Sequence, residues 1–214
     1  MAGKKGRFKK RISFGGLILA LAGALLWQVT PLPAVVSVAH LSDPAKLATL
    51  AKRGANPRVN KIVYWLEYGN ERHLAYETTL DWAQMLNRTP KPRSDLVKET
   101  FLRNMKIAKE LGLLTPENLE KLKRGNAAVV TKGPYSGDRV EIDHIVPVSL
   151  APELGNELAN LEMMPGKLNR AKSNKVGQRQ LSYADKFLAA GLIGSNSMER
   201  VKSVAKNPTW SKTR

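Results

Sequence analysis

The sequence contains no cysteine. Disulfides are therefore excluded, and so is any zinc site built from thiolates, which leaves histidine, carboxylate and amide groups as possible metal ligands. Acidic residues are also scarce, because 18 Asp and Glu stand against 35 Lys and Arg and give a formal net charge of +17. A positive excess of this size attracts polyanions, so it favours a nucleic acid or an anionic membrane surface as the partner.

Charged residues are also missing from a run near the N-terminus. Residues 12–29 are uncharged and follow six basic residues within 4–11, and removing those six charges still leaves +11 on residues 12–214. A cationic start before an apolar run is typical of a secretory signal, while a run of nearly this length can also span a bilayer. Three interpretations stay open: an uncleaved anchor, a signal cleaved near residues 37–39, and a buried core helix. The first two predict a bacterial protein with a cytoplasmic N-terminus and an extracytoplasmic body, either membrane-anchored or secreted and periplasmic.

Proline and glycine divide the next part of the chain into predicted helices. Residues 30–41, with Pro31 and Pro33, predict a linker. A short helix follows the cap at 42–44, a second covers 79–86, a third starts at the cap Ser94, and a fourth starts at Thr115. The stretch 58–68 is ambiguous between strand and helix.

After Gly125 the pattern changes. Residues 127–131 and 139–146 are strand-like and are separated by a turn-rich stretch, and a short apolar run at 161–164 precedes a predicted helix at 167–173. Two further helices, at 178–190 and 197–206, are predicted before a basic tail. The sequence thus predicts four segments. Residues 1–41 form a signal or anchor with its linker, and residues 42–125 form a helical scaffold. Residues 126–180 form a β-containing segment, and residues 181–214 form C-terminal helices with the basic tail.

The stretch EIDHIVP, residues 141–147, places Asp143 and His144 inside an apolar run that Pro147 closes. Hydrolysis of a phosphodiester needs a base for the attacking water, and a histidine of pKa near 6.5 suits this role. A carboxylate can hold Mg²⁺, which prefers oxygen ligands and keeps several waters. Neighbours in a regular strand point to opposite faces, so the strand must bend or end here if both side chains are to face one substrate. The alternative is a structural hydrogen-bonded pair at a strand end.

Three residues that lie further along the chain could complete such a site. Asn169 offers an amide oxygen, and Lys172 shares its helix face and could meet a phosphate. Asn160 could fix a loop through hydrogen bonds to the backbone. Basic residues on the other predicted helices are interpreted mainly as solvated faces.

The runs EIDHIVP at 141–147, NL at 160–161 and LNRAKSN at 168–174 together resemble the motif of the HNH nucleases, over about residues 131–175. The resemblance implies a ββα-metal finger, embedded here among helices in a mostly helical α+β protein with an N-terminal apolar signal or anchor helix. Many relatives carry a Cys-x-x-Cys zinc pair where this chain has residues 133–137, so the scaffold would depend on packing alone.

The resemblance also implies roles for individual residues. His144 would be the general base and Asn160 would orient it, while Asp143 and Asn169 would hold one divalent cation, Mg²⁺ or else Mn²⁺. Three further residues would support these groups or contact phosphate: Glu141, Arg170 and Lys172.

The resemblance implies a metal-dependent endonuclease that hydrolyses DNA, with low sequence preference because no separate recognition module is evident. The membrane would be a second partner if the N-terminal helix is not cleaved, and no protein partner is implied. One rival is a membrane-tethered nucleic-acid-binding protein with an inactive nuclease fold. Another is a cytosolic restriction-type enzyme.

Overall fold

The computed structural model describes residues 29–205. Within that range the chain is mostly helical and contains one two-stranded antiparallel sheet, so the predicted α+β class is confirmed. The elements, in chain order, are α1 Leu32–Ser42, α2 Pro44–Ala48, α3 Asn56–Asn70, α4 Tyr76–Leu86, α5 Arg93–Glu110, α6 Pro116–Lys123, β1 Val140–His144, two 3-10 turns at Pro152–Leu154 and Leu158–Asn160, β2 Leu161–Pro165, α7 Gly166–Lys172, α8 Gln178–Ala189 and α9 Ser195–Ala205.

The prediction of a linker at residues 30–41 was wrong, because most of this stretch forms α1. Pro31 is the N-cap and Pro33 lies in the first turn, where a helix has no intrahelical hydrogen bond to lose. Ala34 and Val38 on the inner face are fully buried, and α1 packs on α3 and α4. The two prolines therefore mark the start of a helix.

The predicted signal or anchor falls almost entirely on residues 12–28, which lie outside the described residues. Within residues 29–205, no helix is both long enough and apolar enough to cross a bilayer.

Most predicted helices are present, with three adjustments. The ambiguous stretch 58–68 belongs to helix α3, and α4 begins at Tyr76, three residues before the predicted start. Ser94 is not the cap of α5, since the N-cap is Pro92 and no side chain caps that end. Thr115 does cap α6, because its hydroxyl accepts a hydrogen bond from the Asn118 N–H at 3.4 Å.

The predicted order of strand, loop, strand and helix is confirmed for β1, β2 and α7. The antiparallel register places Val140 opposite Pro165 and His144 opposite Leu161. The strand predicted at 127–131 was wrong, because this stretch contributes only the isolated bridge between Val129 and Arg139. Helix α7 begins directly after β2, which brings its side chains over the Glu141 and Asp143 side of β1.

Helix α5 connects the helical scaffold to the sheet. The Asn104 side chain donates to the Leu161 carbonyl at 3.0 Å and accepts from the Met163 N–H at 2.9 Å. The Thr100 hydroxyl donates to the Ala159 carbonyl at 2.8 Å. A single cluster of buried apolar residues runs from Val38 to Val201, so the scaffold and the sheet share one core.

Candidate active site

Asp143 and His144 line one cleft of about 790 Å³. Strand β1 ends at His144, so the strict alternation of side chains ends there too, and both side chains reach the same space. Lys172 at the end of α7 also lines the cleft. The requirement that the strand end at this pair is met.

The imidazole of His144 is held in one tautomer by the loop between the strands. Its Nε2 lies 3.0 Å from the Gly155 carbonyl oxygen, which can only accept, so Nε2 carries the proton. In the neutral ring Nδ1 is then unprotonated and can accept a proton. Burial lowers the pKa of His144 because it disfavours the charged imidazolium, and the nearby charges of Lys172 and Arg53 act in the same direction. The ring is therefore neutral over a wider range of pH than a free histidine.

Asn160 is fully buried and fixes the chain that follows His144. Its side chain accepts from the Val146 N–H at 2.8 Å and donates to the Val146 carbonyl at 2.9 Å. Its own carbonyl accepts from the Ile145 N–H at 2.8 Å. The predicted role in fixing a loop agrees with these contacts, which act on the backbone next to His144.

Lys172 is almost completely buried, with 2% of its side chain exposed. Its ammonium group donates to Asp143 Oδ2 at 2.5 Å and to the His144 carbonyl at 2.6 Å. The structure therefore places this lysine against both motif residues, and the enclosed ammonium compensates the charge of the Asp143 carboxylate. The ammonium group that was predicted to contact a phosphate is therefore buried and already bonded to protein oxygens.

The structure pairs Asn169 with Glu141. The Asn169 amide donates to Glu141 Oε2 at 2.8 Å, and the Arg170 guanidinium donates to Glu141 Oε1 at 3.0 Å. Glu141 therefore ties helix α7 to the strand. None of these three residues is among those that line the cleft.

Part of the cleft lining comes from a segment of the chain that the motif does not include. Lys52 and Arg53, between α2 and α3, line it together with Asn156 of the inter-strand loop. Sequence reasoning missed these residues and also Gly155. They are about 100 residues away from the motif or lie in an irregular loop, and no local pattern marks them.

Asp143 in the cleft offers one oxygen to a hydrated hard cation, and Asn169, which does not line the cleft, offers another. Asp143 Oδ1 and Asn169 Oδ1 have no hydrogen-bond donor within residues 29–205, so each is available as a ligand. Mg²⁺ typically accepts one or two carboxylate ligands and keeps several waters. The described residues hold no cluster of three or more His, Asp or Glu suited to a metal, so an all-protein cage is not formed there.

The chain matches no protein-family model, and no curated protein or solved structure is significantly similar to it. The case for a function therefore depends on the motif residues and their geometry.

Proposed function

We propose that this protein is a metal-dependent endonuclease of the HNH type that hydrolyses phosphodiester bonds in DNA. The observation that carries the proposal is the tautomer of His144: the Gly155 carbonyl occupies Nε2 and leaves a basic Nδ1 in a cleft that Asp143 also lines. The charge of +17 supports a polyanionic substrate.

In this mechanism the cleft binds one phosphodiester next to His144. Nδ1 of His144 accepts a proton from a water molecule, the water oxygen attacks phosphorus, and the bond from phosphorus to the leaving oxygen breaks. The Gly155 carbonyl stabilises the imidazolium that forms, because it accepts the Nε2–H. Asn160 keeps the backbone after the base in place through Val146.

Asp143, with Asn169 as a second oxygen donor, would hold a divalent cation, most simply Mg²⁺ or Mn²⁺. When bound, such a cation neutralises charge on the phosphate and on the leaving oxygen. The buried ammonium of Lys172 orients the Asp143 carboxylate through Oδ2 and leaves Oδ1 for the cation.

We also propose that the body of the protein acts outside the cytoplasm, tethered or released. The basic residues at 4–11 followed by the uncharged residues 12–29 support this location. A fusion of residues 1–41 to a reporter that works only after export tests it. Reporter activity confined to the cytoplasm would favour the cytosolic alternative.

An inactive DNA-binding protein is the second candidate. The pairing of Asp143 with Lys172 favours it, since the carboxylate already has a cationic partner. The two candidates differ in metal dependence, because a binder retains DNA in EDTA and leaves it intact with Mg²⁺.

The first experiment is plasmid cleavage by the full-length chain, with Mg²⁺, Mn²⁺ or EDTA. We expect nicking with metal, none in EDTA, and a loss of at least about 100-fold in His144→Ala, as is typical for removal of a general base. His73→Ala is the matched control, because His73 is an exposed histidine outside the cleft, and it should cut normally. Intact plasmid with every metal, from a folded chain that binds DNA, would establish the inactive binder instead.

A further inference from the structure

The segment between α2 and α3, residues 50–55, forms a turn that contributes to the same cleft as His144, and we call it the basic turn. It presents Lys52 and Arg53 to the cleft, and both side chains are exposed. Neither one has an ion pair or a side-chain hydrogen bond with any residue in the range 29–205, whereas Arg58 and Lys46 nearby are engaged. Two unpaired cations therefore share a cleft with the proposed base.

The basic turn is attached to the core through apolar side chains. Ala55 is fully buried, and Leu50 packs against the core. The backbone closes on itself, because the Gly54 N–H donates to the Ala51 carbonyl at 2.9 Å and the Asn56 N–H donates to the Arg53 carbonyl at 3.1 Å. The two basic side chains are thus carried on a fixed segment.

The loop that holds His144 also holds the basic turn. Asn156 donates to the Leu50 carbonyl at 3.0 Å and accepts from the Ala55 N–H at 3.2 Å. Its neighbour Gly155 accepts the hydrogen bond from His144. One dipeptide therefore fixes the spacing between the base and the two cations.

Arg53 has a backbone φ of 63°, in the left-handed region that most side chains avoid. Glycine adopts this conformation without strain, so an arginine here is unfavourable for folding alone.

We propose that the basic turn binds the backbone phosphates of the nucleic acid next to the phosphodiester that is cleaved. Exposed, unpaired Lys and Arg are the groups that contact phosphate oxygens, and such contacts position a duplex without reading its sequence. The fixed spacing to His144 places the scissile bond at the base while neighbouring phosphates lie on Lys52 and Arg53. This inference rests on the proposed nuclease function and adds a substrate contact outside the motif.

The test is DNA binding and cleavage by the full-length double variant Lys52→Ala/Arg53→Gly. Glycine removes the charge and also relieves the strained φ, and equal urea midpoints of the variant and the unaltered chain would show that a loss of binding is not due to unfolding. In EDTA we expect the dissociation constant for a random-sequence duplex to rise roughly tenfold, and the slope of log K against log salt to become shallower by about 2, one for each lost contact. With Mg²⁺ the KM should rise while kcat stays within about twofold, because uniform binding is lost.

The matched control is Arg88→Gly/Lys106→Ala, which removes the same two charges. Arg88 is an exposed arginine with φ of 50°, and Lys106 is an exposed lysine on α5; neither lines the cleft. This control should bind and cleave like the unaltered chain, apart from the small effect of net charge.

The outcomes separate the two proposals. Unaltered affinity, salt slope and KM in Lys52→Ala/Arg53→Gly, with an active unaltered chain, would overturn the role of the basic turn and keep the nuclease. Equal losses in the control would also overturn it, because net charge would then explain them. If the unaltered chain leaves DNA intact with every metal, and the double variant binds DNA more weakly, the nuclease proposal is overturned. The proposal that Lys52 and Arg53 bind phosphates is then kept. A chain that neither binds nor cuts nucleic acid would overturn both.

Discussion

At the scale of single residues, Lys172 shows how much of the site depends on one buried charge. The ammonium bonds both the Asp143 carboxylate and the His144 carbonyl. Asp143 is partly buried, and Lys172 is its one ion-pair partner within residues 29–205, so losing the ammonium leaves the carboxylate's desolvation uncompensated.

Lys172→Met, which keeps most of the side-chain volume, should lower the free energy of unfolding by about 3 kcal/mol. Urea unfolding followed by circular dichroism measures the change. Lys167→Met on the same helix is the control, since Lys167 is exposed, and it should change stability by less than about 0.5 kcal/mol. Equal stability of the two variants would mean that the ion pair with Asp143 contributes nothing to the fold.

At the scale of elements, β2 is attached to two helices through Glu162, which lies opposite Asp143 in the sheet. Arg179 on α8 binds both Glu162 oxygens, at 2.8 and 2.5 Å, and Arg103 on α5 lies 3.3 Å away. Burial by itself would raise the pKa of Glu162, but the hydrogen bonds and charge of Arg179 outweigh it, and the pKa falls below its ordinary value.

A carboxylate with a lowered folded-state pKa stabilises the protein above its unfolded pKa, and this contribution is lost as the pH falls through the folded value. We therefore expect Glu162→Gln to lower the free energy of unfolding by about 3 kcal/mol at neutral pH. The gap between the variant and the unaltered chain should close as the pH falls below the ordinary value of 4.5. Urea titrations across the acidic range measure this gap. Glu120→Gln, on an exposed residue, should show no such gap.

Asn104 gives a second test at this scale, because it alone ties α5 to two backbone groups of β2. Asn104→Ala leaves a buried N–H and a buried carbonyl without partners, and the free energy of unfolding should fall by about 3 kcal/mol. Thermal unfolding measures the loss, and the exposed Asn196→Ala serves as control. A melting temperature unchanged in Asn104→Ala would show that β2 keeps its place without the Asn104 hydrogen bonds.

Local pattern predicted the elements that carry the motif, and long-range contacts explain what it missed. Strand β1 and the short helix after β2 follow from residue types that are close in sequence, although the strand predicted at 139–146 ends two residues earlier, at His144. The hydrogen bond from His144 to Gly155 and the approach of Arg53 depend on how distant segments pack, which no spacing in the chain encodes. Pro31 and Pro33 were misread because the same residues open a helix and fill a linker, and only burial of the next turn decides between them.

At the scale of the whole molecule, the stretch that was predicted as a linker forms α1 and packs into the core. Cleavage after residue 39 would remove Ala34, Val35 and Val38 from that core and separate the Ala39 carbonyl from the Asn87 side chain that donates to it at 2.8 Å. An anchor that is kept preserves these contacts, whereas a signal cut at 37–39 does not.

A chain that starts at His40 should therefore be less stable than one that starts at Thr30, by at least about 3 kcal/mol, since several buried side chains are lost. Comparing the urea midpoints of the two chains measures the difference. Equal midpoints would show that α1 is dispensable and that the site at 37–39 can be cut without harm to the fold.

Residues 47–53 form one part of the cleft lining, and residues 143–174 form the other part. During synthesis, residues 47–53 leave the ribosome long before residues 143–174 have been made. If the cleft cuts nucleic acid, a partly made chain therefore carries cations that can hold a polyanion but no base that can break it. The complete lining of the cleft exists only after residues up to 174 have emerged, so under this hypothesis binding capacity precedes any capacity to cut.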